Sequence, residues 1–348
     1  MTAGITEVMR RRRVFQIGIA VVLGVTSAAH AALTSAQSAR SQNAVPQLPE
    51  VAPSPPDNST TPGKVALGKQ LFFDPRLSGD NTKSCASCHQ PEKAFTDGLP
   101  RAKGATGKEL SRNTPTLLNV GFYSAYFWDG RAGSLEEQAL FPIQSPDEMN
   151  QDLAALEKEL QAVPGYVSQF QAVFGSRVTA ANVAKALAAF ERTLVSRNSP
   201  FDRYLAGNKS ALSEEAERGW ELFRGAAECI RCHNGPNFSD SKFYRLGTSF
   251  TDKGRGAVTA DKRAFYAFRT PGLRDVARTA PYLHDGSLAT LYQVVEFYYR
   301  SAPQQAPDGM PLDIAPLLGQ SYSEISAIVA FLESLNGGPP QISKPVLP

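Results

Sequence analysis

Cys85-Ala86-Ser87-Cys88-His89 recurs as Cys229-Ile230-Arg231-Cys232-His233, and these two stretches hold all four cysteines of the 348-residue chain. CxxCH is the attachment motif of haem c. Its two thiols add across the haem vinyl groups, and the adjacent His coordinates the iron. A disulfide suits an oxidising compartment but gives no reason for a His after both pairs, and neither does a thioredoxin-like pair. A zinc site would need each motif to borrow further ligands. Two covalent haems are therefore expected, with His89 and His233 as iron ligands.

The repeat extends outward from the motifs. Gly68-Lys69-Gln70-Leu71-Phe72 precedes the first and Gly219-Trp220-Glu221-Leu222-Phe223 the second; Phe95-Thr96-Asp97 and Phe238-Ser239-Asp240 follow them. Thr114-Pro115-Thr116-Leu117 matches Thr270-Pro271-Gly272-Leu273, and Tyr126-Phe127-Trp128-Asp129-Gly130 matches Tyr282-Leu283-His284-Asp285-Gly286. The expected fold class is mainly α, with two cytochrome c-like domains and long haem-wrapping loops. Leu153, Leu156 and Leu160 keep helical spacing, as do Val183, Leu187, Phe190 and Leu194, and Ile325, Ile328, Val329 and Leu332. Ser213 before Glu214 and Glu215 marks a helix start, and no run alternates as a strand does.

Arg10 to Arg13, the apolar stretch Val14 to Val25 and Ala29-His30-Ala31 read as a secretory leader over residues 1–31. Periplasmic localisation follows, with a retained anchor as the alternative. Arg12-Arg13 suggests twin-arginine export, which is disfavoured because haem attachment follows export of an unfolded chain. Without residues 1–31, which hold Arg10 to Arg13 and Glu7, basic and acidic residues balance, and nothing suggests nucleic acid. Residues 32–61 read as a flexible linker, 62–205 and 206–336 as the two domains, and 337–348 as a loose tail.

An open axial position lets a haem bind peroxide, whereas two strong ligands favour electron transfer. Beyond His30 in the leader and the two motif histidines, only His284 remains, in a slot the repeat fills with Trp128; a structural role suits it better than ligation. The next matched position holds Pro142 in the first half and Tyr298 in the second. Tyr can ligate iron and Pro cannot, although Tyr298 also reads as a core aromatic. Met310 is a second candidate.

These blocks, with Leu71-Phe72-Phe73-Asp74-Pro75-Arg76-Leu77-Ser78, Asn113-Thr114-Pro115-Thr116, Phe127-Trp128-Asp129-Gly130-Arg131 and Thr279-Ala280-Pro281-Tyr282, resemble the bacterial dihaem cytochrome c peroxidase and MauG family over residues 62–336. The resemblance implies a peroxidatic N-terminal haem, an electron-transfer C-terminal haem and Trp128 between them. It maps distal-pocket residues to Gln138, Pro142 and Glu148, although Ser145-Pro146-Asp147-Glu148 by itself reads as a capping box. It implies calcium at Asn113, Thr279 and Pro281, the last two through carbonyls. Two features depart from many members: Gln90 to Phe127 holds no His to serve as a releasable distal ligand, and Tyr298 replaces Met, as in MauG. The expected activity is reduction of hydrogen peroxide to water with electrons from a small donor protein, a cytochrome c or cupredoxin. The alternatives are peroxide-dependent oxidation of residues on a partner protein and a non-enzymatic electron carrier. A homodimer is compatible with the sequence, which does not fix the oligomeric state.

Overall fold

The computed structural model describes residues 45–301, 306–313 and 321–348; the leader and the first part of the linker lie outside them. The described chain is mainly helical: α1 Pro62–Phe72, α2 Cys85–Cys88, α3 Leu135–Gln144, α4 Leu153–Gln161, α5 Pro164–Phe174, α6 Ala180–Glu191, α7 Pro200–Leu205, α8 Glu214–Arg224, α9 Arg255–Thr259, α10 Leu291–Glu296 and α11 Tyr322–Glu333. A short antiparallel pair, β1 Phe243–Arg245 and β2 Ala267–Arg269, sets Tyr244 opposite Phe268. Among the described residues, no helix is long and apolar enough to cross a membrane. Capping oxygens satisfy amides that a first helical turn leaves free. Ser213 Oγ accepts from Ala216 N–H at 3.1 Å, and Thr179 Oγ1 accepts from Asn182 N–H at 3.2 Å.

Two helix crossings carry the repeat. α1 packs on α6, and α8 packs on α11. Each crossing is made at a glycine: a Cβ on Gly68 would lie 1.9 Å from Ala186 O, and one on Gly219 would lie 1.9 Å from Ala327 O. Three buried phenylalanines surround each crossing. The Phe72 ring lies 5.1 Å from Phe190 and 6.3 Å from Phe95. The Phe223 ring lies 4.9 Å from Phe331 and 6.1 Å from Phe238. The repeat therefore includes α6 and α11, whose sequences hide it.

The halves meet through matched positions. Asn113 N–H donates to His284 O at 2.8 Å, and Arg269 N–H donates to Trp128 O at 2.8 Å. Asn113 and Arg269 each precede a matched Thr-Pro pair, so one contact is written twice around an approximate two-fold axis. Gly130 and Gly286 both take positive φ and press on the opposite half. A Cβ on Gly130 would lie 2.2 Å from the Phe243 ring, and one on Gly286 would lie 2.4 Å from Pro100 O. Arg112 bridges Asp129 at 2.6 Å and Asp252 at 2.7 Å. Pro46–Pro348 thus holds together as one compact unit.

Three expected boundaries change. α7 belongs with the second half: Phe201 N–H donates to Ser334 O at 3.1 Å, its ring lies 5.1 Å from Phe331, and Asp202 pairs with Arg274 at 2.9 Å. The described part of the linker is docked, not free. Asn58 is buried and donates to Glu136 Oε1 and Lys185 O at 2.5 and 3.0 Å. The tail is docked too. Ile342 packs on the first-half core, Gln70 Nε2 donates to Val346 O at 3.2 Å, and Arg76 Nη2 donates to Pro348 O at 3.1 Å. Proline-rich composition marks extended backbone, and here side chains of the folded body hold that backbone through its carbonyls.

Candidate functional site

α2 is a single turn carrying Cys85 and Cys88, and His89 N–H closes it on Cys85 O at 2.9 Å. His89 Nδ1 lies 3.0 Å from Phe95 O. A carbonyl can only accept, so Nδ1 carries the proton and Nε2 keeps its lone pair. His233 repeats this with Phe238 O at 3.1 Å. Both phenylalanines take positive φ, which turns these carbonyls toward the imidazoles. Burial lowers the pKa of both rings and keeps them neutral. The four thiols are unpaired. Burial pushes Cys88 up to about 11 and Cys229 up to about 12.

A cavity of about 690 Å³ opens beside Cys85, Cys88 and His89, within the usual range of about 300–1,000 Å³ for cofactor sites. Two facing thiols, a pre-oriented imidazole and this volume fit a covalent haem. α3 contributes Gln138 and Pro142 to the wall, the turn after it Glu148, and the interface loop Trp128. The structure thus brings the expected first-half residues together. Trp128 Nε1 donates to Asn113 O at 3.0 Å, which fixes the indole at the junction of the halves.

Glu148 does not cap a helix. No helix begins at Pro146; α4 begins at Leu153 with Asp152 as its N-cap. Residues 145–150 form a turn held by Ala105 N–H on Glu148 O at 2.7 Å and Gly79 N–H on Met149 O at 2.9 Å. These tertiary bonds win over the local capping pattern. Burial raises the Glu148 pKa, opposed by Ser145 and Arg131.

In the second half, α10 matches α3, with Thr290 capping as Ser134 does. Where α3 has Pro142, α10 runs into a π-helical turn, Phe297–Ser301. Tyr298 is half-buried there; burial raises its phenol pKa, and the neighbouring Cys229 and Cys232 add to the rise. Met310, the second candidate, has its sulfur 3.5 Å from Arg245 Nη1, and Arg245 pairs with Asp308 at 2.8 Å. His284 is buried and stacks on Phe268 with ring centroids 3.7 Å apart.

Asn113 N–H on His284 O brings the expected calcium residues into adjacent loops. Asn113 Nδ2 donates to Leu99 O at 2.9 Å, and Thr279 Oγ1 donates to Val276 O at 3.0 Å. Among the described residues no cluster of three or more His, Cys, Asp or Glu could hold a metal ion, so a cation here would rely on carbonyl and amide oxygens. Sequence reading missed Glu191, which also lines the first cavity; its position at the end of α6 resembles an ordinary charged helix end.

Residues 62–210 match the family model described as di-haem cytochrome c peroxidase. The chain is 44% identical over 308 residues, 86% of each chain, to the methylamine utilization protein MauG of Methylorubrum extorquens. It is 39% identical to the cytochrome-c peroxidase IdrP1 of Denitromonas iodatirespirans, over 91% of this chain and 94% of that one. Among solved structures, a MauG-like protein associated with microbial copper homeostasis superimposes with a TM-score of 0.74 at 32% identity, covering 83% of this chain and 95% of that one.

Proposed function

Because the chain belongs to the di-haem cytochrome c peroxidase and MauG family, we propose that this oxidoreductase reduces hydrogen peroxide in the first cavity with electrons relayed through the second half. The observation that carries the proposal is that Gln138, Pro142 and Glu148 line the same cavity as His89, Cys85 and Cys88. The reaction is H₂O₂ + 2e⁻ + 2H⁺ → 2H₂O.

Bound haem supplies the redox chemistry. Cys85 and Cys88 would hold it in the first cavity as thioethers, and neutral His89 would offer Nε2 to the iron. Cys229, Cys232 and His233 would do the same in the second half. The Pro142 side chain has no atom that can coordinate and its carbonyl accepts from Met149 N–H at 3.1 Å, so its side of the cavity would stay available to peroxide. Glu148 takes a proton from one peroxide oxygen and returns it to the other, which leaves as water. Gln138 offers an amide to orient the substrate. Trp128 lies at the contact with Arg269 and forms the bridge for electrons between the halves. Tyr298, near Cys229 and Cys232, would offer its phenol oxygen to the haem of the second half. Calcium, bound by Asn113, Thr279 and Pro281, would brace the loops between the sites. A periplasmic location and a small cytochrome or cupredoxin as donor complete this reading.

The test is steady-state peroxide consumption by the holoenzyme with a reduced small cytochrome or cupredoxin. Two donor equivalents oxidised per peroxide are expected. Tyr298 favours a second reading, oxidation of residues on a partner protein, because an anionic phenolate stabilises higher iron oxidation states. Slow donor turnover with covalent change in a partner would select it.

A further inference from the structure

Glu191 is 5% exposed and lines the first cavity with Cys85 and Tyr126. Its Oε2 is fully enclosed and accepts no hydrogen bond. The adjacent Arg192 does not neutralise it. That guanidinium is committed to Glu136 on α3 at 2.8 and 3.0 Å. The groups that act on Glu191 electrostatically are Arg192 on its own helix and Glu136 on α3, and Glu191 in turn acts on Cys85 of α2 and on Tyr126. A buried carboxylate without a partner is costly, and the cost falls when it binds a proton. Burial accordingly pushes the Glu191 carboxyl up to about 8, with Arg192 opposing and Glu136 adding to the rise.

The matched position of the second half holds no acid. Phe190 and Phe331 take the same place against Gly68 and Gly219, so Leu332 stands where Glu191 does. The carboxyl is thus confined to the half that carries Glu148 and Pro142.

We propose that Glu191 is the redox-linked proton site of the first haem, binding one proton as that haem gains one electron. An external one-electron donor supplies the electron, water supplies the proton, and the carboxylate becomes the neutral acid. Negative charge arriving in the cavity raises the carboxyl's proton affinity, and by reciprocity a proton on Glu191 favours reduction. The proton is then held beside the site where peroxide reduction consumes protons. This inference rests on a haem occupying the first cavity.

The experiment is a spectroelectrochemical titration of both haems in the holoenzyme, comparing wild type with Glu191→Gln and Glu191→Leu. The Leu variant adopts the residue found at the matched position of α11. In wild type, at fixed potential, the reduced-to-oxidised ratio of the first haem should fall by up to about tenfold per pH unit above roughly pH 8, where the resting carboxyl has lost its proton and reduction returns it. Over that interval the variants should lose this slope, and the second haem should show none in any protein. Reduction of wild type should also produce an infrared band of a protonated carboxyl that Glu191→Gln lacks. An unchanged slope in both variants overturns the proposal while leaving the peroxidase reading intact. Absence of haem at Cys85 and Cys88 overturns the reading beneath it.

Discussion

Glu148 sits in a turn that two neighbouring loops hold in place, and the proton transfer proposed for it should leave a mark on the pH profile. Burial raises its pKa, so the carboxylate proposed to accept the peroxide proton forms at a higher pH than an exposed carboxylate does. The kcat/KM for peroxide should rise with pH through that raised value, and Glu148→Gln should lose this acid limb along with about 10²- to 10⁴-fold in rate. Tyr298 yields a second prediction. In the ferric holoenzyme, Tyr298→Phe should abolish the low-spin signature of the second haem and raise its high-spin signal, read by electron paramagnetic resonance, while cyanide still binds promptly at the first haem. An unchanged spectrum would assign the ligand elsewhere. The sequence made the motif residues legible because CxxCH is local chemistry. Glu148 came from resemblance, and its own surroundings misled, since Ser145-Pro146-Asp147-Glu148 looks like a cap and only Gly79 and Ala105, distant in sequence, make it a turn. Glu191 was illegible because its meaning depends on Arg192 being held by Glu136, on another helix.

At the scale of elements, the two helix crossings depend on the absence of a side chain. Gly68→Ala would drive a methyl into Ala186 O, and Gly219→Ala would do the same to Ala327 O. Backbone cannot yield as a rotamer does, so each variant should lose on the order of 3 kcal/mol, measured by chemical denaturation. Gly63→Ala on the same α1 meets only the Val173 side chain at 3.2 Å and should be nearly neutral. An equal loss at Gly63, where helix propensity favours Ala, would mean that any methyl added to α1, and not the close approach to Ala186 O, sets the cost. The crossings were partly legible: Gly68 and Gly219 appear in matched segments, but their partners on α6 and α11 share little beyond apolar spacing. The matched helices α3 and α10 diverge at one position, with proline in one and a π-helical turn in the other.

Across the whole molecule, Arg112 ties the halves together. It is mostly buried, and it pairs with Asp129 of its own half and Asp252 of the other. Arg112→Ala would leave both carboxylates without this partner, and the holoenzyme should lose on the order of 3 kcal/mol, seen as a lower thermal midpoint. Retention of the wild-type midpoint would show that the backbone contacts of Asn113 and Arg269 suffice. Composition predicted a linker and a tail where the structure has docked chain, because composition cannot show which surface an extended segment will meet. The docked tail also orders events in time. Gln70 and Val346 are 276 residues apart, and Arg76 and Pro348 are 272 apart. Closing loops of that length costs chain entropy before any contact offsets it, so such pairings form late. The second-half helix pair is complete at Glu333, whereas the outer surface of the first half awaits residues 342–348. Residues 342–348 are therefore expected to join the first half late, and a variant lacking them should load haem at Cys85 and Cys88 as the full chain does while losing stability in that half.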